Sequence, residues 1–234
     1  MIRTYSWPTP NGHKVHIMLY ECGLEHEVIP IDIAKGDQFD PYFLSISPNN
    51  RIPAIVDSDG PDGEEISVFE TAAILYYLAN KTGKFLPSLA GDPRGHYKVM
   101  EWLEWQMGGI GPMMGQSNHF RSYAKEKLTY AIDRYVGETT RLFGVADTRL
   151  GETRFLGGDD YTIADIACFP WMRGWERQQV PLDEFPNVKR WLDEIAARPA
   201  VKQGLDVLKD KRRSSPPKGK EWEIMFGKEQ FKRH

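Results

Sequence analysis

The hydrophobic rhythm of this chain changes once, near residue 92, and that change restricts it to a two-part fold. Up to residue 85, strand-like and helix-like stretches alternate. "IRTYSW" reads as a strand, and Gly12 to Gly23 as a helix with Val15, Ile17, Met18, Leu19 and Cys22 apolar. "HEVIPID" is a second strand. "DQFDPYFLSI" is a short helix for which Asp37 is the expected N-cap. "AIVDSDGPDGEEISVF" has two apolar runs around a Gly/Pro/Asp turn, the pattern of a hairpin. "ETAAILYYLANKTG" is helical, with Ala73, Ile74, Tyr77 and Leu78 on one expected face and Gly83 as its stop. The order β-α-β-α-β-β-α needs a parallel crossover first and an antiparallel hairpin last.

Beyond residue 92 only helical patterns remain. Asp92 and Pro93 open one helix, which then meets "GGIGP", where Gly108, Gly109, Gly111 and Pro112 should kink or break it. Further helices are expected at about 122–147, 162–178, 186–197 and 199–208. Thr162 and Asp165 form a capping box ahead of the apolar run "IADIAC", a central core helix. "KDKRRSSPPKGK" then reads as a solvated linker, followed by Trp222, Ile224, Met225 and Phe226, an apolar group expected to dock. The expected organisation is therefore 1–86, 91–208 and a basic tail 209–234. Charge follows the same division: 6 basic against 12 acidic residues over 1–85, 15 against 17 over 86–208, and 9 against 4 over 209–234.

Where the first strand hands over to the first helix, redox proteins with this strand–helix pattern carry Cys-Pro-x-Cys. Here the positions read Thr9-Pro10-Asn11-Gly12, without sulfur. The chain has two cysteines, Cys22 and Cys168, both on apolar helix faces, so neither a disulfide framework nor an exposed thiol is expected, and a reducing cytoplasm suits it. No residues have metal-site spacing, and His13 and His16 on one helix face are expected to pack or cap. A net charge of −3 argues against a globally basic nucleic-acid binder. No apolar run of membrane-spanning length and no secretory leader pattern is read.

Two further stretches suggest a ligand. In "SPNNRIPAI", Ile52 precedes Pro53 at a strand entrance; an X-Pro bond there can be cis, leaving the backbone of Ile52 free to pair with an extended peptide. In "SVFETAAIL", Glu70 and Thr71 open a helix whose free N–H groups favour a carboxylate. An acid at a helix start is also what the dipole alone would favour. Together the three features fit a ligand with a peptide backbone, a carboxylate and an ammonium.

"TPNGHK", "SPNNRIPAIVD", "FET", "GGIGPMMGQSNHF", "YAIDRY" and "YTIADIACFPW", in that order over about residues 1–208, resemble the nu-class glutathione transferases, often described as disulfide-bond oxidoreductases. The resemblance implies an α/β thioredoxin-like N-terminal domain, an all-α C-terminal helical domain, glutathione as substrate or cosubstrate, no metal and a homodimer. It implies that Glu70 takes the γ-glutamyl ammonium, Thr71 the adjacent carboxylate and Ile52, beside Pro53, the cysteinyl backbone. Gln38, Arg51 and Arg134 are further glutathione contacts. Thr9 and Asn11 would then stabilise a thiolate that belongs to the ligand, with Tyr5 and Ser6 as alternative activating groups near Trp7. A small disulfide is the expected second substrate; alternatives are conjugation of electrophiles or a non-enzymatic glutathione-binding module. The second pocket is expected around Met113, Met114, Phe120, Asn118 and His119. No nucleic acid or membrane partner is expected.

Overall fold

The computed structural model describes residues 1–231. Strand β1 (Ile2–Ser6) leads into helix α1 (Pro10–Cys22), which returns the chain to β2 (His26–Pro30), parallel to β1. A short 3₁₀ turn and α2 (Pro41–Ile46) follow. Then come β3 (Ala54–Asp57) and β4 (Ile66–Phe69), antiparallel to each other, with β3 also antiparallel to β1. The sheet order is β2-β1-β3-β4, and α3 (Thr71–Thr82) completes the unit. This mixed four-stranded sheet is the thioredoxin-like arrangement the sequence implies.

Alternation along the strands sends side chains to two cores. Tyr5, Ala54 and Val56 face Phe43 and Ile46 of α2. Ile2 and Ile55 face α1 and α3, in a core that continues without interruption into the helical part.

Two expectations in this half are corrected. Asp37 does not cap the helix; Asp40 does, its Oδ1 accepting from the N–H of Tyr42 at 2.9 Å and of Phe43 at 3.3 Å. Asp37 instead accepts from the N–H of Asp32, because Pro41 restarts the chain in a new helix after a 3₁₀ turn. On α3 the buried face is Ile74, Leu75, Leu78 and Ala79, while Ala73 is exposed. Leu75 outcompetes Ala73 because it has more apolar surface to remove from water.

The helical part comprises α4 (Pro93–Trp105), α5 (Gly111–Asn118), α6 (Thr129–Glu152), α7 (Ile163–Met172), α8 (Trp175–Gln178), α9 (Pro186–Ala197) and α10 (Pro199–Asp206). The glycines after α4 do not break the helix. A single π-helical turn, Gln106–Ile110, takes up Gly108 and Gly109; the N–H of Gly111 pairs with the Gln106 carbonyl five residues back, and Pro112 follows at the start of α5. A second π turn, His119–Tyr123, delays α6 to residue 129, later than the expected 122. Arg173 and Gly174 divide the expected 162–178 helix into α7 and α8. After the linker, α11 (Gly219–Phe226) packs on the second π turn: Trp222 Nε1 donates to the carbonyl of Tyr123 at 2.6 Å, and Phe226 stacks on the Tyr123 ring. Among the described residues, no helix is long and apolar enough to cross a membrane.

The capping box at α7 has a larger role than capping. Asp165 is fully buried, and its carboxylate accepts from the N–H of Leu156 (2.9 Å), Thr162 N (3.0 Å), Thr162 Oγ1 (3.1 Å) and Trp191 Nε1 (2.9 Å). It thereby ties α7 to α9 and to the loop before it. Asp165→Ala would leave several buried donors without partners, each costing about 1–3 kcal/mol. Chemical denaturation should therefore register a loss of about 3 kcal/mol or more; a loss under about 1 kcal/mol would mean that water replaces the carboxylate.

Candidate active site

Two adjoining cavities, of about 380 and 460 Å³, open between the sheet unit and the helical part. They share Asn11, Arg51, Ile52, Gly115 and Trp171 as walls. This volume suits a tripeptide-sized ligand and a second small molecule.

The head of α1 forms one wall. Thr9, in an extended conformation, caps the helix: its Oγ1 accepts from the N–H of Gly12 at 3.2 Å, so its hydroxyl hydrogen remains available to donate. Gly12 is required there, because a Cβ would lie 2.1 Å from the Trp7 carbonyl oxygen. Asn11 Oδ1 accepts from the indole Nε1 of Trp171 on α7 at 2.8 Å. An indole only donates, so this bond fixes the amide with its NH₂ group free for the cleft. Thr9, Asn11 and the positive end of α1 thus converge on the larger cavity.

The peptide-binding wall lies opposite. The Ile52–Pro53 bond is cis. The β1–β3 ladder begins at Tyr5 paired with Ala54, so the backbone of Ile52 lies outside it. Glu70 precedes α3 at φ 69°, a region that non-glycine residues seldom occupy, and its carboxylate lines the smaller cavity within 3.4 Å of Asn49 Nδ2. Thr71 follows at the head of α3. Gln38 is buried; its Nε2 donates to the carbonyl of Ile33 at 3.2 Å, and its Oε1 has no partner among the described residues while the residue lines the larger cavity. Arg51 Nη1 donates to Asn50 Oδ1 (3.0 Å) and Gln230 Oε1 (2.8 Å), fastening the tail across the rim.

Thr9, Asn11, Gln38, Arg51, Ile52, Pro53, Glu70 and Thr71 therefore border one continuous cleft. Arg134 does not join them: it is exposed on α6 and lines neither cavity. Tyr5 and Ser6 also stay out. The Tyr5 hydroxyl lies on the α2 side against Tyr42, where burial and that hydroxyl push its pKa up to about 12. Ser6 is buried beneath Gly12.

The expected second pocket is largely built from other residues. Met114 is in the core, Met113 packs on it, Phe120 stacks on Tyr135 and His119 sits edge-on to Phe226; of that set, Asn118 alone borders the larger cavity. Its apolar wall comes from Trp171, Tyr123, Met225 and Phe226. The apolar cluster in the tail was the sequence signal for this wall. Its destination depended on a π turn that local pattern does not reveal.

A thioredoxin-like unit here presents a helix head without cysteine to a cleft that it shares with a helical domain. Residues 1–80 match the glutathione S-transferase N-terminal domain and residues 107–199 the glutathione S-transferase C-terminal domain. The disulfide-bond oxidoreductase YfcG of Escherichia coli is 50% identical over 206 residues, which is 88% of this chain and 94% of that protein. A glutathione transferase from Pseudomonas putida, solved with one glutathione disulfide per subunit, is 45% identical at a TM-score of 0.83, with 88% of this chain and 91% of that one covered. A Burkholderia graminis glutathione transferase with two glutathione molecules per subunit is 47% identical, also at 0.83, covering 88% and 87%. The chain belongs to the glutathione S-transferase family.

For a γ-glutamyl peptide in this cleft, a charge-assisted contact to Glu70 is worth about 1.5–3 kcal/mol. Glu70→Ala should then weaken glutathione binding by roughly 10- to 150-fold with the fold retained. Calorimetry giving an unchanged dissociation constant would remove Glu70 from the site.

Proposed function

We propose that this protein is a glutathione-dependent disulfide-bond oxidoreductase whose reacting sulfur is that of bound glutathione. The observation that carries this reading is the placement of thiols against donors. Both cysteines are buried and unpaired, and burial raises the pKa of each. Neither lines the cleft where Thr9, Asn11 and the α1 N-terminus converge. Protein thiols that remain protonated are poor nucleophiles, whereas a ligand thiol beside a helix head is stabilised as thiolate.

In this reading Glu70 takes the γ-glutamyl ammonium, Thr71 its carboxylate, Ile52 beside Pro53 the cysteinyl backbone, and Gln38 and Arg51 the remaining polar groups. The glutathione sulfur then points at Thr9 and Asn11. The thiolate attacks one sulfur of a small disulfide, forming a glutathionyl mixed disulfide and releasing the other half as a thiolate, which takes a proton from water. A second glutathione thiolate attacks the mixed disulfide, giving glutathione disulfide and the second thiol. The two ligand states of the relatives, two glutathiones or one glutathione disulfide, support such a sequence. The reading includes a homodimer in a reducing cytoplasm, in keeping with family membership and two unpaired cysteines. Conjugation of electrophiles is the second reading, supported by the apolar wall of Trp171, Met225 and Phe226.

Turnover of 2-hydroxyethyl disulfide with glutathione, compared with conjugation of a chloronitrobenzene, separates the two. Disulfide reduction should dominate, and a Cys22→Ala/Cys168→Ala variant should keep it within about threefold, since buried protonated thiols contribute nothing to exchange. A folded double variant without activity would show that a protein thiol takes part.

A further inference from the structure

The floor of the smaller cavity holds a charge that the roles above leave unused. Lys14, on α1, is 1% exposed. Its ammonium donates to Thr71 Oγ1 at 3.1 Å and Gln106 Oε1 at 2.6 Å, with Met107 Sδ at 4.0 Å, all neutral partners. Among the described residues it has no carboxylate within ion-pair distance. Burying an ammonium without an anion is costly, and such groups usually pair or lose their proton.

Its surroundings are arranged to receive an anion. Because Thr71 Oγ1 accepts from Lys14, the Thr71 hydroxyl can give its own hydrogen away, and it faces Met107 Sδ at 3.4 Å, a weak acceptor. Gln106 is fully buried with its Oε1 held by Lys14. Among the described residues its Nε2 has no partner, and it lies against Gly111 in the cavity wall, where a Cβ would approach to 2.9 Å. The N-terminus of the twelve-residue α3 opens at the same place.

We propose that Lys14 is a positioning residue for the ligand carboxylate: it turns the Thr71 hydroxyl and the Gln106 amide toward that group from below, and takes up a proton as the carboxylate arrives. This rests on the glutathione reading and adds to it a buried cation and a proton count.

The charged groups facing Lys14 are few. Burial pulls its pKa down to about 7 against the pull of Glu70 at the head of α3, which favours the charged form; Cys168 on α7, its own pKa raised by burial, faces Lys14 as a neutral thiol. Helix α10 also packs on α1 but presents Gly204 there, toward Ile17. His13 and His16, pulled by burial to about 4 and about 3, are neutral at pH 7. A carboxylate reaching this floor favours the ammonium and raises the Lys14 pKa. Proton uptake therefore accompanies binding above pH 7, and affinity falls as pH rises from there.

The test uses S-methylglutathione, which has no thiol to titrate, in calorimetry at pH 7.5 in phosphate and in Tris. The difference in enthalpy between buffers counts the protons exchanged. With a free-state pKa of about 7, wild-type protein should take up about three-quarters of a proton, and its affinity should fall roughly eightfold from pH 6.5 to 8. Lys14→Met should bind at least tenfold more weakly with both effects gone. Binding by wild type without net uptake, or the same uptake in Lys14→Met, overturns the role of Lys14 while leaving the glutathione reading intact. If Lys14→Met does not fold, the wild-type proton count alone decides. Failure of wild-type protein to bind S-methylglutathione overturns both.

Discussion

Helix α1 is the member on which the rest of the molecule depends, because it packs at once against the sheet, α3, α7 and α10. Two glycines set how closely. Gly12 lets the head of α1 press on the end of β1, and Gly204 brings α10 so near that a Cβ would sit 2.7 Å from the backbone nitrogen of Ile17. The same helix carries Asn11 at its head and Lys14 one turn on. Asn11 is held across the cleft by Trp171 of α7, so the bond that fixes this amide also joins the two halves of the protein. Packing and site geometry here are one constraint.

In the proposed reading, the same constraint lets a redox-shaped turn act on a ligand's sulfur without cysteines of its own. A helix head, a free hydroxyl and a pinned amide form an electropositive cradle whose chemistry depends on what is placed in it. The protein's own sulfurs are kept in apolar packing, where their thiols remain protonated. Across the cleft, the loop before β3 and the head of α3 supply the matching half, and the tail completes the rim through Arg51 and Gln230.

Much of this was legible in the sequence because it rests on local rules. The strand–helix alternation, the α3 stop at Gly83, the Thr162–Asp165 box and the Glu70–Thr71 helix start need only neighbours along the chain. Three things were not legible. Glycines and Pro112 were expected to kink or break the helix, and the chain is not broken there but carried through by a π turn. The wall of the second cavity comes from Met225 and Phe226, more than a hundred residues from Thr9, and only tertiary contact brings them there. Lys14 sits in an apolar run, "HKVHIML", and nothing local distinguishes a buried cation from one that reaches out to solvent. Arg134 is the converse case: its motif was recognisable, yet it lies on an exposed face of α6, away from this chain's own cleft.

The central claim is that the fold lowers the pKa of a thiol it does not own. The thiolate absorbs in the ultraviolet, so glutathione bound to the wild-type protein can be titrated directly against free glutathione. The account predicts a bound thiol titrating below about 7.5, compared with about 8.5 free, and a return toward the free value when Thr9 and Asn11 are both replaced by alanine. A bound thiol that titrates like free glutathione, or a shift that survives the double replacement, would contradict it.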